Sequence, residues 1–566
     1  MKKHIFIILF LSFIIYSNTL KNDFVWDDTS IVVNNKWIRN ISNFFKFFTL
    51  KDTISEDTIT KPKIYRPFTT FTYAIDYLIY GGISNLGFHL SNVFYHSVTS
   101  VLFYILCNLI FENQKISFLS VLFFVTHPIH TEAVSWVKGR ADVVATMFCL
   151  VSFVFYIYFV RNKNFKNYIL SLVAFLFALF SKESAIAFPL IVVLYDIYFN
   201  KINVKNYISF FVLGIIYVLI RRSVLGIVAP CGWWAGSIYY TFLTMTKVLV
   251  EYFRLLVLPI NLCADYVVPI SYTIFEPRVI LSISLIIVVI LVAFYVRKKY
   301  AIVSFSILFI LIALLPVLNI IPIEVLLAER FLYLSSVGFC ILLGYLVYKI
   351  LGDKKVYLYV LSGLIIFSYS GLTFTRNYDW KNAFCLWQKT VKQMPNNFRA
   401  HNNLGMEYEK LADYKNALKH YKKALTLIPN LSWIYNDTKQ MYARVHNNIG
   451  NVYFNLNNYP KAYEHYTKAI QLDPNYSQPY FNLGLFFRKQ GITDLSIKYY
   501  KKAIELNPYS CEYWNNLGVA YAIKDDFENA IYAYNKSLEL SIDENFKNNV
   551  LKNIEIAEKF LSKNKK

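Results

Sequence analysis

Long apolar runs separated by short polar breaks fill the chain up to about residue 375, and beyond that point the pattern turns polar and amphipathic. A membrane-spanning helix needs roughly 20 mostly apolar residues. Residues 143–160, 279–296, 301–320, 331–348 and 356–375 carry no charge and are about that long, and 87–111 holds only His89 and His96 among its titratable ring nitrogens. Shorter apolar stretches at 116–126, 167–180, 185–195 and 206–220 span if polar residues extend them inside a bundle. The start, Met1-Lys2-Lys3-His4 followed by apolar 5–16, has the form of a signal peptide or a first anchor, and is read as a retained anchor.

Basic residues set the orientation of such runs. With the N-terminus in the cytoplasm, Arg161/Lys163/Lys166, Lys201/Lys205, Arg297/Lys298/Lys299 and Lys349/Lys354/Lys355 all fall inside. Residues 241–258 are apolar but contain Lys247, Glu251 and Arg254, and crossing there would turn every later basic loop outward. That segment is therefore expected as an interfacial or re-entrant helix within an outer loop at 221–278. Eleven spans result, with everything after residue 375 outside. In this topology Glu112, Asp196 and Asp353 are the cytoplasmic exceptions among the 18 Asp and Glu of residues 1–375; the rest pool on or near the outer face. Acidic residues beside a bilayer are costly unless solvated, paired or functional.

The second region repeats itself. Leu404-Gly405 is followed by Tyr408, Ala417, Tyr421, Ala424 and Pro429; Ile449-Gly450 by Tyr453, Ala462, Tyr466, Ala469 and Pro474; Leu483-Gly484 by Phe487, Ser496, Tyr500, Ala503 and Pro508; Leu517-Gly518 by Tyr521, Ala530, Tyr534 and Ser537. The glycines step by 34 between the later units and by 45 between the first two, which places an 11-residue insertion around 431–441. A 34-residue period with these marks is that of a tetratricopeptide-repeat (TPR) helical hairpin. Gly and Ala sit where the helices touch, aromatic side chains fill the gaps, and Pro ends the second helix. The expected units are a half-unit at 376–397 carrying Ala383, Trp387 and Pro395, then 398–431, 443–476, 477–510 and 511–544, with a capping helix and basic tail at 546–566. The fold class is thus all-α: a polytopic bundle over 1–375 followed by a TPR solenoid over 376–545, whose concave face is suited to a protein or peptide partner.

Composition agrees with two solvents for two regions. The 566 residues are 56% hydrophobic and 17% charged, against roughly 45–50% and about 25% in soluble proteins. The net charge of +22 does not point to nucleic acid, because no groove-reading motif is present and many basic residues flank apolar runs. The seven cysteines are scattered singly with no CxxC pair, so neither a zinc site nor a disulfide framework is indicated.

Candidate chemistry lies in the outer-facing loops. The first of these, 21–86, holds Asp23 and the adjacent Asp27 and Asp28, which could serve as a base, bind a metal or simply be solvated. His127, His130, Glu132, Arg140 and Asp142 crowd the next one; Lys182 and Glu183, Arg221 and Arg222, and Glu329 and Arg330 with Tyr333 sit at other span ends. Arg is suited to phosphate because its planar fork bonds two oxygens. Carboxylates mixed with phosphate-binding cations at a bilayer edge suit transfer of a group from a lipid phosphate to an acceptor hydroxyl.

The stretches Phe24-Val25-Trp26-Asp27-Asp28, Tyr65-Arg66-Pro67-Phe68-Thr69, Phe88-His89-Leu90-Ser91-Asn92, His127-Pro128-Ile129-His130-Thr131-Glu132-Ala133, Gly139-Arg140-Ala141-Asp142 and Ser181-Lys182-Glu183, followed by the repeats, closely resemble the transmembrane and tetratricopeptide-repeat (TMTC) protein O-mannosyltransferases and their bacterial relatives. The resemblance implies a GT-C glycosyltransferase fold, a polyprenyl-phosphate sugar donor (dolichyl-phosphate mannose in eukaryotic members) and protein Ser or Thr hydroxyls as acceptors. It implies a catalytic acid residue in the first outer loop, Asp27 or Asp28, with Asp28 favoured. Arg66, His127, His130, Glu132, Arg140, Asp142, Lys182, Glu183, Arg222, Glu329 and Arg330 are the candidates for holding donor or substrate. No metal is assigned. The implied location is the plasma membrane in a bacterium or the endoplasmic reticulum membrane in a eukaryote. The competing expectation is a non-catalytic membrane-anchored TPR scaffold, which has no need of the pooled outer charges; a lipid-sugar flippase would need a polar path that the apolar spans do not offer.

Overall fold

The computed structural model describes residues 1–49, 64–227, 229, 231–428 and 438–564. Every regular element among the described residues is a helix. They fall into two compact units, one ending at Met394 and the other starting at Pro395.

The first unit begins with α1 (Lys2–Tyr16), a short α2 (Lys46–Thr49), α3 (Pro67–Tyr80), α4 (Asn85–Phe111) and α5 (Gln114–Thr126). A single-turn α6 (Thr131–Ser135) leads to α7 (Arg140–Asn162), α8 (Phe165–Ser181), α9 (Phe188–Phe199), α10 (Lys205–Leu225) and α11 (Ile238–Val257). The unit closes with α12 (Pro277–Val296), α13 (Ala301–Leu314), α14 (Leu332–Leu351), α15 (Lys355–Asn377) and α16 (Ala383–Gln393). Among the described residues, seven helical segments are long and apolar enough to cross a membrane by length and composition: Lys2–Lys21, Asn85–Phe111, Arg140–Asn162, Lys205–Leu225, Pro277–Val296, Glu329–Leu351 and Lys355–Trp380. Gln114–Thr126, Phe165–Ser181 and Ala301–Val317 are shorter apolar helices.

Local chemistry sets the ends. Side chains of Ser84, Asn113 and Asn164 accept hydrogen bonds from first-turn amides of α4, α5 and α8, and Gly81 and Gly226 end α3 and α10 with left-handed backbone. Where the helices pack closest, small residues meet. The Ser152 and Ser171 hydroxyls lie 3.0 Å apart between α7 and α8, and a Cβ on Gly344 of α14 would fall 2.1 Å from Ser120 Oγ of α5.

Three details differ from the sequence pattern. The apolar run 301–320 is α-helical only to Leu314; a 3-10 turn follows at Leu315–Val317, built on Pro316, which has no amide hydrogen to give. The run at 185–195 begins as a 3-10 turn, Glu183–Ala187, and becomes α9 only at Phe188. The first loop contains α3, which periodicity did not single out. Its Tyr73 and Ala74 pack with Val32, Ile38, Phe47, Phe88 and Val137, and Thr69 Oγ1 donates to the Ser181 carbonyl at 2.8 Å. The described parts of the first loop, 21–49 and 64–86, therefore form a folded cap.

The second unit is a run of hairpins: α17 (Phe398–Lys410) with α18 (Tyr414–Leu427), α19 (Thr438–Asn455) with α20 (Tyr459–Leu472), α21 (Ser477–Lys489) with α22 (Thr493–Leu506), and α23 (Cys511–Ile523) with α24 (Phe527–Leu540). Pro429 and residues 431–437 of the expected insertion lie outside the described residues. The repeated glycines have a common reason. A Cβ on Gly405, Gly450, Gly484 or Gly518 would meet the ring of Tyr421, Tyr466, Tyr500 or Tyr534 at 2.4–2.7 Å. Each hairpin turns at one positive-φ residue, Ala412, Asn457, Gly491 or Asp525. Asparagine side chains bridge successive hairpins, Asn448 to Asn402 at 3.1 Å and Asn482 to Asn447 at 2.8 Å. The last helix, α25 (Glu544–Asn564), covers the end of the stack with Val550, Ile554 and Ala557.

Candidate functional site

A cavity of about 420 Å³ opens in the first unit. Arg66 enters it just ahead of α3, Trp136 and Lys138 from the turn before α7, Asp142 from the first turn of α7, and Lys182 and Glu183 from the end of α8. Tyr217, Val218 and Arg221 come from α10, and the non-helical chain beyond α13 supplies Ile320, Ile321, Ile323, Glu324 and Val325 before Arg330 and Phe331 close the ring. Charged and apolar side chains thus share the lining, and Ile320 and Ile321 are 63% and 52% exposed.

The charged residues are held in pairs. Arg66 gives two hydrogen bonds to Glu183, Nε to Oε2 at 3.0 Å and Nη2 to Oε1 at 2.7 Å. Lys182 pairs with Asp142 at 2.5 Å and lies over the Phe331 ring. Arg330 pairs with the fully buried Glu132, whose other oxygen accepts from the Arg330 amide at 2.8 Å. The Lys138 ammonium pairs with Asp27 and sits 5.3 Å from the centre of the Trp136 ring. Burial pushes the Lys182 ammonium down to about 8, with Asp142 opposing and Arg66 and Arg330 adding to the fall. Burial lowers Lys138 as well, against the pull of Asp27. Burial would raise Glu183, but the charge and hydrogen bonds of Arg66 outweigh it and hold the carboxyl well below the usual carboxylate range.

The two first-loop carboxylates differ in kind. Asp28 is fully buried. Its oxygens accept from the Val25 amide at 3.1 Å and the Lys138 amide at 2.9 Å, so it staples the loop to the turn before α7. Burial drives its carboxyl up to about 7, against those two hydrogen bonds. Asp27 keeps 36% of its side-chain surface and reaches the cavity through Lys138. A partly open carboxylate against a cation suits proton transfer; a buried one that accepts two amides suits scaffolding. The two carboxylates expected from the sequence thus sit in different surroundings, Asp27 partly open beside a cation and Asp28 enclosed by two amides.

Of the other sequence candidates, Arg66, Asp142, Lys182, Glu183 and Arg330 line the cavity, with Glu132 behind Arg330. The remainder do not. His127 accepts from the Ile129 amide and bonds the Leu256 carbonyl, and His130 bonds Ser336 at 2.7 Å; both are fully buried. Arg140 is fully buried, paired with Asp76 at 2.6 Å and bonded to Asn92 and to the Phe88 carbonyl. Glu329 faces away from its neighbour Arg330, toward Arg376, Tyr266 and the Cys263 amide. Arg222 is exposed at the end of α10, while the adjacent Arg221 lines the cavity. Lys138, Trp136 and Glu324 are cavity residues the sequence reading passed over; Lys138 was discoverable as the residue preceding the Gly139-Arg140-Ala141-Asp142 stretch. Among the described residues no three His, Cys, Asp or Glu side chains converge as metal ligands.

Comparison with known proteins adds a lineage to this geometry. The tetratricopeptide-repeat family model matches residues 398–431, 443–476 and 477–510, and a second such model matches 499–532. Protein O-mannosyl-transferase F38B6.6 of Caenorhabditis elegans is 29% identical over 445 residues, covering 76% of this chain and 63% of that protein. Protein O-mannosyl-transferase TMTC3 of Homo sapiens is 27% identical, covering 73% and 50%, and TMTC1 of Homo sapiens is 26% identical, covering 75% and 56%. The chain thus spans between half and just under two-thirds of these curated relatives. A crystal structure of MamA protein aligns with 28% of this chain and 80% of its own, at 25% identity and a TM-score of 0.22. By sequence the chain is similar to the TMTC protein O-mannosyl-transferases, and tetratricopeptide repeats follow its apolar helices.

Proposed function

We propose that the first unit transfers a sugar, mannose or a close analogue, from a polyprenyl-phosphate donor to Ser or Thr hydroxyls of proteins, and that the repeats bind the acceptor. The observation that carries this reading is the cavity itself: cations and exposed apolar side chains share its lining, and the partly open carboxylate of Asp27 pairs with its Lys138. A lipid phosphate likewise joins a charged part to an apolar one. The names of the relatives point to the same chemistry.

In the proposed reaction the acceptor hydroxyl attacks the anomeric carbon as the bond from that carbon to phosphate oxygen breaks. Asp27 accepts the hydroxyl proton. The charge left on the phosphate is met by Lys138, Arg66, Lys182 and Arg330. Each of these cations is engaged by a carboxylate, so the phosphate exchanges one anionic partner for another. The topology belonging to this reading has eleven crossings, a cytoplasmic N-terminus and the repeats on the lumenal or extracytoplasmic side, in the endoplasmic reticulum or plasma membrane.

The purified protein in lipid nanodiscs, given radiolabelled polyprenyl-phosphate mannose and a Ser/Thr-rich peptide, should label the peptide, and Asp27→Asn should not. Donor left intact with every peptide, while the repeats still capture protein partners, would favour the membrane-anchored scaffold. A reporter fused after residue 380 should be active only outside the cytoplasm.

A further inference from the structure

Trp26, the residue before Asp27, has φ of +55°. Left-handed backbone is sterically unfavourable for a bulky side chain and persists only when surroundings enforce it. Here the surroundings are aromatic. The Trp26 ring stacks on Trp136 with centroids 5.1 Å apart and planes 14° apart, and meets Trp387 edge-on at 5.1 Å. The second face of the assembly is closed by Trp380, stacked 5.7 Å from Trp136. Trp136 also donates its indole hydrogen to the Val25 carbonyl at 3.2 Å, fixing the residue before the strained one. Three of the four rings are almost wholly buried, Trp136 at 2%, Trp380 at 0% and Trp387 at 3% exposure.

These partners come from separate places in the chain. Trp136 belongs to the turn that carries Lys138 into the cavity. Trp380 follows α15, and Trp387 lies on α16. The same segment touches the first loop again where the Asp23 amide donates to the Lys381 carbonyl at 2.8 Å. The first-loop turn is therefore gripped between the wall of the cavity and the chain that follows the last long apolar helix.

We propose that Trp26 is a positioning residue, and that Trp136 and Trp387 lock it in left-handed backbone so that Asp27 is presented to Lys138 and the cavity. α16 is then part of the active-site support, although none of its residues lines the cavity. This inference rests on the glycosyl-transfer reading above for its kinetic consequences, but not for its structural ones.

Trp26→Gly separates the two effects, because glycine accepts this φ without strain and removes only the clamp. Transfer by Trp26→Gly should fall about 100-fold in kcat, the scale of loss from a misplacement of about 1 Å, with the donor KM little changed. Trp26→Phe should recover much of it. Trp387→Ala should repeat the kcat loss and Trp387→Phe should not. In an Asp27→Asn background Trp26→Gly should add little, since both changes act through one carboxylate. Trp26→Gly and Trp387→Ala proteins that melt lower yet turn over like the parent would overturn the proposal. A readout without activity uses Asp27→Cys/Lys138→Cys bridged by a short bifunctional thiol reagent that replaces the reach of the lysine, with the linked peptides mapped by mass spectrometry. Cross-linking should be prompt in that protein and slow once Trp26→Gly is added; equal rates overturn the clamp. If the parent protein transfers no sugar but the cross-linking contrast holds, the glycosyl-transfer reading fails and the clamp stands.

Discussion

Arg66 grips Glu183 with two parallel hydrogen bonds, and through them the first-loop cap is tied to the end of α8 at the mouth of the cavity. Because 40% of the Glu183 side-chain surface stays open, the pair is worth about 1 kcal/mol to stability. Its sign with pH follows from the lowered carboxyl. The stabilisation is fully present above the ordinary value of 4.5 and is lost as pH falls through the lower folded value. The melting-temperature difference between the parent and Glu183→Gln should therefore be constant from pH 7 to 5 and shrink toward pH 3. A difference that grows on acidification contradicts this assignment.

Asp27 and Asp28 should separate cleanly. Asp27→Asn should reduce sugar transfer by about 10²–10⁴-fold with little change in melting. Asp28→Asn exchanges one amide-accepting oxygen for a donor and should cost about 1–3 kcal/mol of stability. Transfer rate and thermal unfolding measured on both proteins decide between them, and the opposite pattern would return the base to Asp28.

Burial pushes the Lys182 ammonium down to about 8, so its hold on a donor phosphate should weaken above that pH. The donor KM should rise about tenfold between about pH 7 and pH 9, and Lys182→Arg should stay flat because a guanidinium keeps its charge. In stability the same group works the other way. Between about 8 and 10.5 the unfolded chain holds a proton the folded one has released, so the parent should gain on Lys182→Met as pH rises across that window.

Gly139 is as tightly placed as any residue of the site. A Cβ there would lie 2.6 Å from the Glu132 carbonyl oxygen and 2.7 Å from that of Ala133, and backbone atoms do not move aside as side chains do. Gly139→Ala should cost about 2 kcal/mol and disturb Lys138 next to it. Denaturant or thermal unfolding checks the first effect and donor KM the second.

In the repeats, Gly484→Ala would bring a Cβ to 2.4 Å from the Tyr500 ring. A loss of about 1–3 kcal/mol is expected. It should shrink when Tyr500→Leu is present, a coupling that a double-mutant cycle measures directly.

Periodicity made the large features legible. The apolar runs became helices, and four Gly–Tyr registers announced four hairpins, because those marks repeat at fixed spacing. Arg66, Asp142, Lys182, Glu183 and Arg330 could be named in advance because charge at the end of an apolar run needs a reason. Direction was not readable. His127, His130 and Arg140 sit in the same short turn region as Lys138, yet three face the core and one the cavity. Lys138 was missed because a single lysine in a loop looks solvated. The break after Leu314, which gives the cavity its apolar wall, was hidden in a stretch without charge. Only Pro316 hinted at it.

The glycine–tyrosine contacts also bear on how such a chain changes in length over evolutionary time. Each contact closes inside one hairpin, Gly405 on Tyr421 through Gly518 on Tyr534. Duplicating or deleting a whole 34-residue unit copies or removes a complete contact and breaks none. A change of a few residues inside a hairpin breaks one at once. Repeat number is therefore free to drift by whole units under selection, while the register within each unit is not.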